Sequence, residues 1–175
     1  MYQYITRGTF KGPPSMVVSE LRGIDVIISC DNSLPHLLDD RDLQLAFRNI
    51  WSKLSHNGFF LASIRDYDQL LKEKPRATTP FVYNDHTGKR IVFQVWDWGI
   101  DENVYTLHHF VVRQDGDNWW TDCRSTRYRA LLRSELSAML NEIGFSEINW
   151  HLPEDTGYYQ PIVTAYKRDG VVYVR

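Results

Sequence analysis

The sequence predicts an α/β fold in which a parallel sheet carries an inserted antiparallel sheet. The parallel part is predicted by two continuous apolar runs, Ile24–Cys30 and Phe59–Ile64, which suit strands buried on both faces and enclose an amphipathic helical stretch. The antiparallel part is predicted by partial alternation of apolar and polar residues over 90–98 and 104–112. The 175 residues are expected to form a single domain, with the antiparallel sheet inserted at about 81–132.

The chain between the two apolar runs predicts a helix, because apolar residues recur at three- and four-residue spacing over Leu43–Leu54. Asp39 or Asp40 is the expected N-terminal cap, since a carboxylate accepts hydrogen bonds from the exposed N–H groups of a helix start. Asn57 and Gly58 are expected to end the helix, because glycine tolerates the left-handed conformation found there. Strand, helix and strand then form a βαβ unit.

The remaining elements are predicted from shorter apolar patterns and from the glycine and proline residues that bound them. After the antiparallel region, these patterns return the chain to the α/β type. The predicted elements are a strand near 16–18, a helix at 66–74 stopped by Pro75, a third antiparallel strand within 123–132, a helix through 136–143 ended by Gly144, and strands at 145–150 and 161–167.

The composition limits the classes of function. The net charge is −2 and there is no long basic run, so no nucleic-acid-binding surface is indicated. There is no signal-peptide pattern and no apolar run long enough to span a bilayer, so a cytoplasmic location without membrane contact is expected. Cys30 and Cys123 form no C-x-x-C pair, and no metal site is predicted.

Polar residues directly follow both strands of the βαβ unit. Asp31–His36 comes after the first strand, and Arg65–Tyr67 comes after the second. Ligands of open α/β sheets bind beyond the carboxyl ends of the strands, and neighbouring parallel strands place their loops side by side. We therefore expect the two loops to converge on one crevice.

The same region resembles class I S-adenosylmethionine (SAM)-dependent methyltransferases. In that family a D-V-I strand ends in a polar loop, and a helix, an L-x-x-G-G turn and another strand follow; here Leu54–Gly58 stands at the turn, with Asn57 in place of the first glycine. The closing L-x-x-x-G-F pattern is matched by Leu140–Phe145. The resemblance covers roughly residues 17–167. It implies a Rossmann-like sheet, methyl transfer as the activity and SAM as the cofactor.

A narrower resemblance is to glycine and sarcosine N-methyltransferases, in which an N-S-x-x-H-L loop and an R-N-Y-D loop help to form the substrate site. Asp66 replaces the usual Asn of the second loop, and its charge argues against glycine itself as the substrate. The matching residues are Asn32, Ser33, His36 and Leu37 in the first loop and Arg65, Tyr67 and Asp68 in the second.

This resemblance implies a small amine or carboxylate-bearing metabolite as the substrate and a role for each matching residue. Arg65 would hold the substrate carboxylate, because a guanidinium offers two parallel donors. His36 would accept a proton as the catalytic residue, since a histidine pKa lies near neutrality. The remaining implied contacts are those of Asn32 and Tyr67 with the substrate and those of Asp31, Asn32 and Ser33 with the cofactor.

The sequence lacks the glycine-rich turn with which this family binds its cofactor. Its ten glycines include no G-x-G pair, and Pro13 directly follows Gly12. The resemblance thus implies that the Ile24–Cys30 strand is the fourth of seven and that the front part of the fold is missing. The truncated fold would expose a sheet, through which homo-oligomers are expected to form.

Simpler explanations of the same residues stay open. Asp31 and Asn32 are compatible with a plain turn, Arg65 with a surface ion pair, and His36 with a packed or solvent-facing side chain. Tyr158–Gln160 suits either the crevice or an ordinary strand start. The functional alternatives are a non-catalytic module that acts in binding or dimerisation and a small-molecule carrier.

Overall fold

The computed structural model describes residues 22–86, 88–99 and 103–168. These residues form two compact units: the first combines the chain up to Tyr67 with the chain from Leu131 onward, and the second is Asp68–Ala130. No helix within these ranges is long and apolar enough to cross a bilayer. The elements in chain order are β1 (Ile24–Ser29), a 3-10 turn (Leu34–His36), α1 (Asp40–Lys53), β2 (Leu54–Ser63), α2 (Tyr67–Glu73), β3 (Phe81–Asp85), β4 (Gly88–Trp98), β5 (Val104–Asp115), β6 (Asn118–Arg129), α3 (Arg133–Ile143), β7 (Phe145–His151), α4 (Pro153–Thr156) and β8 (Ile162–Lys167).

The first unit contains a four-stranded sheet in the order β1-β2-β8-β7. β1 and β2 are parallel neighbours connected through α1, which confirms the predicted βαβ unit. β8 pairs antiparallel with both β2 and β7, so the sheet is mixed rather than parallel throughout. This order brings the carboxyl ends of β1 and β2 and the start of β8 together, at the edge of the sheet where the strands end.

Helix boundaries follow the predicted signals at three places. Asp39 is the N-terminal cap of α1, because its Oδ1 accepts a hydrogen bond of 2.8 Å from the backbone N–H of Asp42. α2 ends before Pro75. α3 ends at Gly144, which has the left-handed φ of 110° that glycine accommodates.

The predicted end of α1 at Asn57 and Gly58 is wrong. α1 ends at Lys53, and Leu54 already pairs with Ile24 in the parallel sheet. The register of β1 and β2 then shifts, which accommodates a left-handed Asn57 (φ 61°) inside the strand. Pairing with β1 thus draws this segment into the sheet and overrides a local helix-stop signal.

The prediction that β1 is buried on both faces is also wrong. Asp25 and Val26 are exposed, Val26 to 41%, whereas Ile27 and Ser29 are buried. β1 is one of the two outer strands of the sheet that the described residues form. Only its second half, which leads to the polar loop, therefore lies in the core.

The core of the first unit contains a cluster of aromatic rings. Phe60 of β2 packs edge-on against Phe47 of α1, with 6.1 Å between ring centroids, and lies 5.8 Å from Phe145 of β7. All three rings are almost completely buried. Burial of each such side chain stabilises the fold by about 1.5–3 kcal/mol relative to exposure. The cluster therefore stabilises the sheet that carries the polar loops.

The second unit contains the predicted antiparallel sheet, with strands in the order β3-β4-β5-β6. β3 was not predicted, because all of its residues are exposed and its apolar residues do not alternate with polar ones, although Phe, Val and Tyr are common in strands. β6 begins at Asn118, earlier than predicted, since Gly116 and Asp117 form a two-residue turn after β5. The predicted strand near 16–18 lies outside the described residues.

Candidate active site at the ends of β1 and β2

A left-handed turn begins the loop that follows β1. Asp31 and Asn32 have φ values of 58° and 60°, a conformation that Asp and Asn adopt more readily than other residues with a Cβ. The turn is tied to the end of β2: Asn32 N donates to the Ser63 carbonyl at 3.1 Å, and Asp31 N donates to Ser63 Oγ at 2.8 Å. The strained turn is thus held by the neighbouring strand.

The side chain of Asn32 joins the loops that follow the two strands. Its Oδ1 accepts hydrogen bonds of 3.0 Å from both the backbone N–H of Arg65 and the hydroxyl of Tyr67. Asn32 is only 2% exposed and Tyr67 is fully buried. The prediction that the loops lie side by side is confirmed, and the Asn32 amide is the bridge between them.

The amino end of the Asn32 amide is a buried donor. A backbone N–H can only donate, so its bond from Arg65 identifies the acceptor atom as Oδ1 and leaves Nδ2 as the donor. Nδ2 is buried without a hydrogen-bond partner among the described residues. An unsatisfied buried donor costs about 1–3 kcal/mol, which a ligand oxygen would offset.

The segment before β8 completes the network from the far end of the chain. Ser63 Oγ donates to the buried Gln160 Oε1 at 3.0 Å, and the Tyr159 hydroxyl donates to Asp31 Oδ1. Desolvation of the hydroxyl and its bond to Asp31 raise the pKa of Tyr159 well above the usual tyrosine value. The Tyr159 hydroxyl therefore stays protonated and remains a donor to the carboxylate of Asp31.

His36 ends the 3-10 turn after this loop, and its side chain is exposed. Partial burial of the ring and the positive charge of Arg65 lower the pKa of His36 below its ordinary value. The imidazole is consequently neutral at pH 7, which leaves one ring nitrogen able to accept a proton. Arg65 itself is half-buried at the end of β2.

The structure brings most of the predicted site residues into one network. Asn32 is bonded directly to Arg65 and Tyr67, and Asp31 joins them through Ser63, which binds the backbone N–H groups of both Asp31 and Asn32. The Ser33 hydroxyl instead donates back to the carbonyl of Cys30. The Tyr67 hydroxyl is buried against Asn32, so its observed contact orients the amide. No group of three His, Cys, Asp or Glu side chains suited to a metal ion occurs in the part of the chain that the structure describes.

Sequence reasoning missed Ser63 and left the segment with Tyr159 and Gln160 undecided. Ser63 lies inside the predicted strand Phe59–Ile64 and carries no motif of its own, so only its hydrogen bonds reveal its role. The antiparallel pairing of Ser63 with Ile162 brings the segment before β8 to this edge. A sequence argument that had placed β8 beside β2 would have predicted this proximity.

The chain is similar in sequence to known proteins. No family model matches the chain. It is 28% identical over 124 residues to the glycine/sarcosine N-methyltransferase of Parasynechococcus marenigrum (strain WH8102), a match that covers 71% of this chain and 40% of the relative. The enzyme of the same name from Aphanothece halophytica is 24% identical over 144 residues, covering 78% and 47%. The chain thus spans less than half the length of these relatives.

Solved structures of methyltransferases share the fold. A SAM-dependent methyltransferase from Clostridium acetobutylicum aligns with a TM-score of 0.63 at 18% identity, over 87% of this chain and 63% of that one. The sugar N-methyltransferase KedS8 from Streptoalloteichus gives 0.67 at 13% identity, over 85% and 57%. The SAM-bound amino pentose methyltransferase CalS10 from Micromonospora echinaspora gives 0.64 at 11% identity, over 83% and 58%.

The sequence relatives, the structural relatives and the site geometry support the same interpretation of the fold. At such low sequence identity, the structural similarity establishes the fold alone. The sequence relatives belong to the kind of enzyme, glycine and sarcosine N-methyltransferases, that the two loops were predicted to resemble. The chain therefore has part of the Rossmann-like fold of class I SAM-dependent methyltransferases, and its sequence relatives are glycine/sarcosine N-methyltransferases.

Proposed function

We propose that the protein containing this chain is a SAM-dependent methyltransferase that acts on the amino group of a small, carboxylate-bearing metabolite. The observation that carries this proposal is the buried Asn32 Nδ2, a donor without a partner among the described residues, at the meeting point of two loops. Its position beyond the ends of β1 and β2 is where open α/β sheets bind ligands. The sequence relatives favour an amine as the methyl acceptor.

The described residues fit a part of the cofactor site. SAM supplies an electrophilic methyl group, so the protein mainly provides position and a suitable environment. Asn32 Nδ2 offers an oriented donor for a ligand oxygen, and Asp31 and Ser33 flank it in the same loop. The chain has no G-x-G turn. We propose that these residues provide one side of a cofactor site.

Arg65 is proposed to bind the carboxylate of the methyl acceptor. Its backbone N–H is anchored on Asn32, which fixes the point from which the guanidinium extends. The planar guanidinium can bind both carboxylate oxygens at once and thereby orient the attached amine. Orientation of two bound reactants can lower a reaction barrier by about 7–11 kcal/mol.

His36 is proposed to accept a proton from the substrate ammonium, because an amine attacks only through a free lone pair. The lowered pKa of His36 keeps the imidazole unprotonated near pH 7. Tyr67 is proposed to act on the substrate through Asn32, whose amide it orients. A cytoplasmic location and self-association through the exposed sheet remain predictions.

Calorimetry and a methyl-transfer assay test the function. SAM is titrated into the chain and into a version extended upstream in its gene, and both are then assayed with radiolabelled SAM and with glycine, sarcosine or dimethylglycine. We expect SAM binding and a labelled N-methyl product in at least one form. Absence of SAM binding in both forms would reject the enzyme and favour a non-catalytic module. SAM binding without methyl transfer to any of these three amines would reject the proposed substrate class.

A further inference from the structure

β6, one of the two outer strands of the second sheet in the described residues, has an open backbone edge. β6 pairs with β5, and it ends the strand order β3-β4-β5-β6 in the part of the chain that the structure describes. Every residue from Arg113 to Ser125 is exposed. β6 has 12 residues, about twice the common length of a strand, and long exposed edges are templates for pairing with another chain.

The β5–β6 turn determines which backbone groups face this edge. Gly116 has a φ of 59°, as expected at the first central position of a type II′ turn, and the flanking residues Asp115 and Asn118 are paired. Hydrogen-bonded and non-hydrogen-bonded pairs alternate along antiparallel strands, and the pair that closes such a turn is hydrogen-bonded. The odd-numbered residues of β6 therefore direct their N–H and C=O groups away from β5.

The charges of β6 select one register for pairing with a second copy. A twofold axis at Cys123 aligns odd-numbered residues with odd-numbered residues and places Asp122, which also pairs with Arg113 of its own β5, opposite Arg124 of the second copy, twice. An axis at Asp122 or at Arg124 would instead place two like charges opposite each other. Opposite charges stabilise a cross-strand pair and like charges destabilise it, so the axis at Cys123 is favoured over both neighbours.

We propose that this chain forms a twofold-symmetric dimer in which β6 pairs antiparallel with β6 of a second copy, centred on Cys123. The two four-stranded sheets then form one continuous sheet of eight strands. The same register sets Trp119, which is 44% exposed, opposite Arg127 of the other copy, a pair suited to a cation–π contact. The dimer does not depend on the proposed methyl transfer.

Charge reversal tests the register. In sedimentation velocity, we expect the wild type to dimerise with increasing concentration and Asp122→Arg or Arg124→Asp to weaken the dimer about tenfold or more. The double variant Asp122→Arg/Arg124→Asp should restore it, because the opposite charges face each other again. Glu142→Arg, an exposed charge reversal on α3, is the matched control and should leave the dimer unchanged. A wild type that stays monomeric, or a dimer indifferent to both reversals, would overturn the proposal.

Cysteine cross-linking tests the centre of the interface. Cys123 is an exposed free cysteine, and Cα atoms of directly paired residues lie about 5.5 Å apart, so a short bifunctional maleimide should join two copies. Cys30→Ser should still form the cross-linked dimer and Cys123→Ser should not. A cross-link that persists in Cys123→Ser would contradict the proposed axis.

Proline substitution tests the backbone edge without changing charge. Thr121→Pro removes an N–H that faces outward, and proline is tolerated at an edge where its nitrogen faces solvent. We therefore expect this variant to be monomeric with an unchanged far-ultraviolet circular dichroism spectrum. A folded Thr121→Pro variant that still dimerises would show that β6 is not the interface.

Discussion

Among single residues, Asn32 has the largest part in organising the candidate site. Its backbone N–H binds the end of β2, its carbonyl oxygen Oδ1 accepts from Arg65 and Tyr67, and its Nδ2 remains as an oriented donor. A left-handed φ permits this arrangement, and asparagine adopts it at low cost. One residue thus couples the loop conformation to the placement of the proposed ligand donor.

Tyr67→Phe should lower kcat/KM by about 2- to 10-fold, since removal of one hydrogen bond of about 0.5–1.5 kcal/mol loosens the Asn32 amide. The apolar ring stays buried, so the free energy of unfolding should change by little more than the energy of this one hydrogen bond. Tyr83→Phe, in an exposed strand of the second unit, is the control. Unchanged kinetics in Tyr67→Phe would argue against a positioning role for its hydroxyl.

Arg65→Ala should raise KM for a carboxylate-bearing substrate and reduce the transition-state stabilisation measured by kcat/KM by about 2–5 kcal/mol, because the charge pair with the substrate carboxylate is lost. Arg65→Lys should recover part of this loss, since lysine keeps the charge without the planar fork. Arg48→Ala, on the exposed face of α1, is the matched control. Equal steady-state constants for Arg65→Ala and Arg48→Ala would remove Arg65 from the site.

His36 predicts a specific dependence of rate on pH. Because its pKa is lowered, the imidazole is neutral at pH 7 and becomes protonated only below the ordinary histidine pKa of about 6.5. Activity should therefore hold near neutrality and fall on the acid side of that value. His36→Gln should reduce kcat and remove this acid limb, whereas His56→Gln should retain it. An acid limb that survives in His36→Gln belongs to another group.

Among the elements, the β1–α1–β2 unit positions the site. The buried second half of β1 and the buried end of β2 fix where the two polar loops begin. α1 connects the strands and packs its buried face, with Leu43 and Phe47, onto the sheet. The orientation of the loops thus depends on the stability of α1, including its N-terminal cap.

Asp39→Ala should lower the free energy of unfolding by about 0.5–2 kcal/mol, because the N-terminal cap of α1 is lost. Asp39→Ser should retain most of the stability, since serine also caps helices well. Urea denaturation followed by circular dichroism measures both variants. Equal stability of the wild type and Asp39→Ala would show that the observed cap contributes nothing.

The antiparallel sheet illustrates a limit of local patterns. Partial alternation predicted β4 and β5, most of whose residues are half-buried. β3 is exposed on both faces and shows no burial pattern that a sequence argument can detect. Whether the segment 81–132 is an insertion into a single domain remains a prediction.

For the whole molecule, the chain folds into two compact units, and it spans less than half the length of its sequence relatives. The proposed β6 dimer would join the second units of two copies through their backbone edges. Its test is independent of the methyl-transfer assay, because a loss of dimer need not change SAM binding. The two proposals can therefore fail separately.

Much of the fold could be predicted from sequence because hydrophobic periodicity is a local property. The apolar runs predicted β1 and β2, and the intervening periodicity predicted the helix that makes them parallel neighbours. The proximity of the polar loops followed from that topology alone. Local signals failed at Asn57 and Gly58, where pairing with β1 extended β2 across a typical helix stop.

The sequence by itself determined the α/β class, the βαβ unit and the two loops with Asn32 and Arg65, since these depend on residues close together in the chain. Only the tertiary structure decided that Ser63 binds Gln160, 97 positions away, and that Tyr159 reaches Asp31. The physical reason is that β8 pairs with β2 through backbone groups that every residue shares, so no side-chain pattern near either strand specifies its partner.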